Sequence, residues 1–273
     1  MRWFEEKETL GKSITILMYD VGAIRTWFRD KPSGWTLVSG IWSPFYIQLR
    51  PICSYDNAKY LLKCIGKAVH RIIQEEAPNV NRLLGIAFAG IPIAIATTMV
   101  SGIPSNYTRK ESQNRSRHPE RAVISYGEHA LVEGELADGD VVAIVDDVVT
   151  KFDSKLMAIS QMKQEIRRRQ LNGKIECKDV IVIVDREQGA METAKQLGMK
   201  LHSLIPFSSK GIEWLKEHIT TEEYTVIKQY LREPSTFQDK RVQLKLKKAA
   251  QISRNQDIRC RTGRKMKNDR RRP

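Results

Sequence analysis

Four cysteines in 273 residues are too few and too scattered for a disulfide framework or a structural zinc site. Cys53, Cys64, Cys177 and Cys260 form no CxxC pair and have no histidine at metal-ligand spacing, so isolated reduced thiols are expected. Glycine and proline are also sparse, at 16 and 10 residues, which excludes collagen-like and Pro/Gly-rich low-complexity chains. No apolar run approaches the roughly 18 residues that a membrane helix needs. The first ten residues, with Glu5, Glu6 and Glu8, lack the basic-then-apolar order of a secretory signal. Together these absences set the expectation of a soluble, cytoplasmic protein with no membrane partner.

What is present is an ordinary globular composition, 41% hydrophobic and 29% charged, with a net charge of +14. That charge is unevenly placed. From Lys240 onward fourteen Lys and Arg face only Asp257 and Asp269, a net of +12 that leaves +2 for the preceding residues. The body is therefore nearly neutral, and an argument for nucleic-acid binding would rest on the tail alone. From Lys240 to Pro273 there is no aromatic residue to stack a base, so weak phosphate contact is the most this segment implies. Three segments are expected: an N-terminal helical segment over 1–33, a main domain over 34–233 including its C-terminal helices, and a basic, disordered tail over 234–273.

Apolar spacing predicts a helix over Ser13–Phe28 and a hairpin over 35–50 turning at Ser39-Gly40. A long amphipathic helix follows over Asn57–Ala77. Then strand and helix alternate: strands at Arg82–Phe88, Pro104–Arg109, Val141–Val145, Val180–Val184 and Leu201–Leu204, and helices at Ile91–Val100, Ser154–Arg169 and Gln188–Leu197. Two further helices, Ser209–Glu217 and Thr221–Leu231, precede Pro234, where regular structure is expected to end. Short buried strands separated by helices predict an α/β domain, with a mostly parallel central sheet flanked by helices. In such sheets ligands sit at the carboxyl ends of the strands.

The strongest local signal lies at one of those ends, where Val141-Val-Ala-Ile-Val runs into Asp146-Asp147 and then Val-Val-Thr-Lys-Phe-Asp-Ser154. One reading is that the carboxylates merely terminate a strand while Asp153 or Ser154 caps the next helix. The other is that they meet ligand hydroxyls or a hydrated cation, with a phosphate held by the turn and the positive end of the helix. This run resembles the phosphoribosyl-diphosphate (PRPP) motif of type I phosphoribosyltransferases. Thr36-Leu-Val-Ser-Gly with Ser43-Pro-Phe-Tyr-Ile resembles the orotate phosphoribosyltransferases. So, in the same order, do Gly85-Ile-Ala-Phe-Ala-Gly-Ile-Pro-Ile-Ala, Arg109-Lys-Glu, Tyr126-Gly with Leu131-Val-Glu-Gly-Glu, and Val184-Asp-Arg-Glu-Gln-Gly with Leu201-His-Ser.

The resemblance implies a type I phosphoribosyltransferase-like fold with a small N-terminal hood of helix and hairpin. It also implies an activity: transfer of ribose 5-phosphate from PRPP to orotate, with Mg²⁺ carried by PRPP, in a homodimer. Asp146 and Asp147 would hold the ribose hydroxyls, and Thr150, Lys151, Phe152, Asp153 and Ser154 would cradle the 5′-phosphate. Arg109 and Lys110 would contact the diphosphate, or form a solvated basic strand end. Phe45 and Tyr46 would line the orotate pocket, or belong to the core. Arg186 would contact orotate, since a planar guanidinium suits a carboxylated pyrimidine, or would pair with Asp185 or Glu187. The chain departs from the family pattern at Val38, Ala89, Phe152 and Asp153, with Lys151 and Lys155 available to offset the last. Where the family has a mobile-loop lysine stands Ile124, and Arg115, Arg117 or Arg121 is expected to replace it. A second reading is a non-catalytic or regulatory protein of this fold that binds PRPP or a nucleotide.

Overall fold

The structure, a computed structural model, describes residues 2–37, 39–109, 130–171 and 173–252. Two compact units make up the chain, one from Met1–Val21 with Gln48–Trp214 and the other from Gly22–Ile47 with Leu215–Pro273.

The larger unit is built on one six-stranded sheet. Its strands are β5 (Arg82–Gly85), β6 (Ser105–Thr108), β7 (Val132–Glu133), β8 (Val141–Val149), β9 (Glu176–Asp185) and β10 (Lys200–Pro206), in the order β10-β9-β8-β5-β6-β7. Every pairing is parallel except the antiparallel edge pair β6–β7. The expected mostly parallel α/β sheet is therefore present. On one face Val142 and Ile144 of β8 pack with Val180 and Val182 of β9 against Phe152, Ala158 and Met162, and Ala190 and Ala194. Those residues belong to α4 (Asp153–Arg168), its N-cap and α5 (Ala190–Gln196). The alternate residues Ala143, Val145, Ile181 and Ile183 are also fully buried, as a sheet covered on both faces requires.

α1 (Trp3–Asp20), α2 (Ala58–Glu76) and α3 (Gly90–Ser101) complete this unit. α2 follows the predicted helix closely, starting after Asn57 in a left-handed conformation at φ 62°. α1 does not follow the expectation of Ser13–Phe28. It begins ten residues earlier and stops before Gly22, which adopts φ 79°; beyond it Ile24–Thr26 is a strand. The apolar spacing there was shared between a helix and a β-branched pair, and the glycine divides them.

α1, α2 and the sheet meet at a charged cluster around the buried His202, whose partners are half-buried. His202 on β10 places Nδ1 2.9 Å from Glu76 Oε2 and Nε2 2.8 Å from Asp179 Oδ1. Glu76 also accepts from Lys7 Nζ at 2.6 Å and Trp3 Nε1 at 2.9 Å.

In the smaller unit β1 (Ile24–Thr26) pairs antiparallel with β4 (Phe45–Ile47), and β2 (Trp35–Thr36) with β3 (Trp42–Ser43). The latter realises the first part of the hairpin expected over 35–50, turning through Gly40 at φ 80°, while the second part leaves it to pair with β1. After the short α6 (Ile212–Leu215), α7 (Thr221–Arg232) opens with a capping box in which Thr220 and Glu223 exchange bonds. Glu223 also accepts from the Thr26 hydroxyl, and both side chains are buried. Regular structure does not end at Pro234. A 3-10 turn spans Pro234–Gln238 and a helix covers 240–252, because Phe237 stacks on Trp42 and Ala250 is fully buried. Among the described residues no helix is long and apolar enough to cross a membrane.

Candidate functional site

β5 stops at Gly85, opposite Val145, whereas β9 continues beside β8 as far as Asp185 opposite Val149. β8 therefore runs four residues past its neighbour on one side, and the open flank begins at the carboxylate pair. This corrects the expectation that the strand ends at Val145: Asp146 and Asp147 lie within β8, held there by pairing with β9, and do not terminate it. Loops leaving β5 and β8 on opposite sides of this point form the crevice where open α/β sheets bind ligands.

α3 approaches the same point. A Cβ on Gly90 would lie 2.2 Å from the Val145 carbonyl oxygen, so only glycine lets the helix start against β8. The connecting turn from β5 includes a cis peptide between Ala87 and Phe88.

The two carboxylates differ. Asp146 is buried; its Oδ1 accepts the Asp147 N–H at 2.9 Å and its Oδ2 accepts Lys155 Nζ at 2.7 Å. Asp147 is half-buried and accepts the Val148 N–H at 2.8 Å. Burial, with the adjacent charge of Asp146, pushes the Asp147 carboxyl up to about 7. Lys155, 1% exposed, also donates to the Val148 carbonyl at 2.9 Å. Sequence reasoning placed Lys155 as a countercharge near the phosphate turn; the structure instead commits its ammonium to β8. The signal was there in the helical spacing, because Lys155, Ala158, Met162 and Glu165 form the buried stripe of α4.

Residues 150–154 form the turn into α4. Thr150 is half-buried, and Lys151, Asp153 and Ser154 are exposed. Phe152 is the N-cap, and neither it nor Asp153 or Ser154 makes a side-chain cap, so the capping expectation is corrected. The Phe152 ring is 1% exposed and lies in the core cluster with Val149 and Met162. It can face a ligand only through its backbone. An apolar ring thus anchors the turn from below.

One strand over, Arg186 follows β9, its N–H bonded to the Val149 carbonyl at 3.0 Å. The Glu187 carboxylate is taken by the backbone and hydroxyl of Ser209 at 2.6 and 2.7 Å, while Asp185 accepts the Glu187 N–H at 2.8 Å. Burial, with the charges of Glu187 and Glu192, raises the Asp185 carboxyl above its usual range. The structure thus brings Asp146, Asp147, the turn 150–154 and Arg186 to one edge of the sheet.

Arg109 follows β6 and pairs with Glu133 on β7 at 3.1 Å, both partly exposed. Its carbonyl is held by Gln161 Nε2 at 2.9 Å. Nearby, fully buried Glu165 accepts the Leu131 N–H at 2.9 Å and pairs with Arg168 and Arg169, while Arg169 donates to the Val132 and Gly134 carbonyls. Arg168 and Arg169 hold the Glu165 carboxyl at about 2 against the opposing effect of burial. Lys110, Arg115, Arg117, Arg121 and Ile124 lie outside the described residues, as does Val38.

Phe45 and Tyr46 belong to the smaller unit. Phe45 is 1% exposed and packs edge-on against Tyr230; the alternative of a core aromatic is the one realised. Tyr46 is half-buried and stacks on Trp35 at 6.0 Å between ring centres.

Among the described residues no group of three or more His, Cys, Asp or Glu side chains converges as a metal cage.

No family model matches the chain. It is 37% identical over 172 residues to the orotate phosphoribosyltransferase of Methanothermobacter thermautotrophicus, covering 63% of this chain and 81% of that protein. It is 27% identical over 225 residues to the uridine 5′-monophosphate synthase of Bos taurus, covering 82% of this chain but only 41% of that longer protein. Among solved structures, that of Leishmania donovani UMP synthase superposes with a TM-score of 0.63 at 23% identity, over 81% of this chain and 42% of that one. This last likeness is one of fold.

Proposed function

The chain belongs to the orotate phosphoribosyltransferase family, and we propose that it transfers ribose 5-phosphate from PRPP to orotate, giving orotidine 5′-phosphate and diphosphate for pyrimidine synthesis. The observation that carries this reading is the open edge of β8. There two carboxylates, the turn 150–154 at a helix N-terminus and Arg186 fall on adjacent strand ends. The edge of β8 at the acidic pair faces the sugar, and the backbone of 150–154 with the positive end of α4 faces the 5′-phosphate. The Arg186 guanidinium meets the orotate carboxylate.

In such a transfer positive charge develops on the sugar and negative charge on the departing diphosphate. The protein's part is electrostatic and positional. Mg²⁺, bound through the diphosphate, supplies neutralisation of the leaving group. Arg109 adds a cation on the same side: its exposed pair with Glu133 contributes little in water and exchanges readily for a phosphate oxygen. Arg109→Ala should raise the KM for PRPP about tenfold, while Glu133→Gln should not raise it. Steady-state kinetics at saturating orotate checks this.

A homodimer is part of this reading, supported by the exposed apolar side chains Ile95 and Met99 on α3 and Phe88 just before it. The described cysteines are all free thiols, which supports a reducing, cytoplasmic setting. The exposed Lys240, Arg241, Lys245, Lys247 and Lys248 of the helix 240–252 support weak nucleic-acid contact. The buried Phe152 and exposed Asp153 at the phosphate turn favour the second reading, a PRPP-binding protein without transfer. Mixing protein, PRPP, Mg²⁺ and orotate and following orotate absorbance separates the two. Loss of absorbance is the expected result, and PRPP binding with constant absorbance would support the second.

A further inference from the structure

Lys155 has an unusual position for a lysine. It is 1% exposed, on a face of α4 otherwise occupied by Ala158, Met162 and other core residues. An ammonium is tolerated there only when its charge and its hydrogens are satisfied. Its two bonds go to the residues on either side of Asp147: the Asp146 carboxylate at 2.7 Å and the Val148 carbonyl at 2.9 Å. Asp146 in turn takes the Asp147 N–H with its other oxygen. Both Asp146 oxygens are therefore occupied by protein donors. Asp147 is gripped through both neighbouring residues and is itself half-buried, with no side-chain cation bonded to its carboxylate among the described residues. Successive strand residues point to opposite faces, so Asp146 turns toward α4 and Asp147 away from it.

We propose that Lys155 is a positioning residue that ties Asp146 into the fold and so leaves Asp147 as the carboxylate of the pair that receives the sugar diol. The inference rests on the reading of this edge as a PRPP site. It divides the roles of two adjacent acids: one is an internal counter-ion and the other a ligand. Lys155 acts on substrate only through the orientation of Asp147.

The test is PRPP affinity, measured by titration calorimetry on the full chain with Mg²⁺ and without orotate. Asp147→Asn should weaken binding at least about thirtyfold and Lys155→Met about tenfold. In the Asp147→Asn background, Lys155→Met should cost less than about twofold, because the residue through which it acts has lost its charge. A general loss of structure would cost the same in both backgrounds. The paired variant Asp146→Asn with Lys155→Met removes both buried charges together and stays informative if Lys155→Met alone fails to fold. It should bind PRPP more tightly than Asp147→Asn does. A tenfold loss that persists in the Asp147→Asn background, or a paired variant as weak as Asp147→Asn, would overturn the proposal. Failure of the unaltered protein to bind PRPP would overturn the site reading itself, a separate outcome.

Discussion

Gly90→Ala is expected to destabilise the protein by about 3 kcal/mol or more and to lower kcat/KM for PRPP at least tenfold. The added methyl would stand 2.2 Å from the Val145 carbonyl oxygen, a contact that a backbone group cannot relieve by a change of rotamer. That carbonyl also accepts the Ile86 N–H at 3.0 Å, so pushing it aside loosens the turn after β5 as well as the strand that carries Asp146. Stability and activity should fall together because the clash lies at the junction that supports both. Urea unfolding and steady-state kinetics on the same sample check the pairing. A variant of unchanged midpoint and unchanged kcat/KM would show that α3 does not seat against β8 in this way.

The second large effect concerns His202, far along β10 from the carboxyl edge. With a carboxylate oxygen within 2.9 Å of each ring nitrogen, both nitrogens must donate, which is the protonated form. Burial opposes that charge, but the hydrogen bonds of Asp179 and Glu76 prevail and raise the His202 pKa above 6.5. A group whose pKa is higher folded than unfolded contributes stability that is fully present below the unfolded value. That stability is lost as pH rises through the folded one. The unaltered protein should therefore unfold more easily at pH 9 than at pH 6, and His202→Gln should flatten this difference. At pH 6 the same variant should cost about 2 kcal/mol, since it leaves half-buried carboxylates short of a partner. Urea midpoints at the two pH values decide it, and an equal slope in both proteins would contradict the account.

The acid limb has the opposite sign. Glu76 and Glu165, each held at about 2 by the bonds they accept, stabilise the fold above their unfolded value. They lose that contribution as pH falls from about 4.5 toward 2.

Much of this architecture was legible in the residues because buried parallel strands read as short apolar runs. Val141–Val145, Val180–Val184 and Leu201–Leu204 mark three adjacent strands, and the acidic pair marks where β8 loses its neighbour β5. What the pattern could not show was where pairing stops. β8 continues to Val149 because β9 continues beside it, a fact of the neighbour and not of the strand itself. Gly22 divided an apolar stretch that periodicity read as one helix.

The site was legible where chemistry is local, as in Asp146-Asp147, the turn 150–154 and Arg186. It was less legible where a side chain's direction depends on packing. The Phe45 ring, one of two readings in the motif, is a core residue in the fold. Lys155 looks like a phosphate countercharge and is an internal bond to β8.

The central claim is transfer of a ribose phosphate at the edge of β8. ³¹P NMR of the full chain with PRPP, orotate and Mg²⁺ tests it most directly, because product identity is read together with consumption. The account predicts that PRPP resonances give way to those of orotidine 5′-phosphate and free diphosphate in equal amounts. PRPP that binds yet stays intact in the presence of orotate would contradict it.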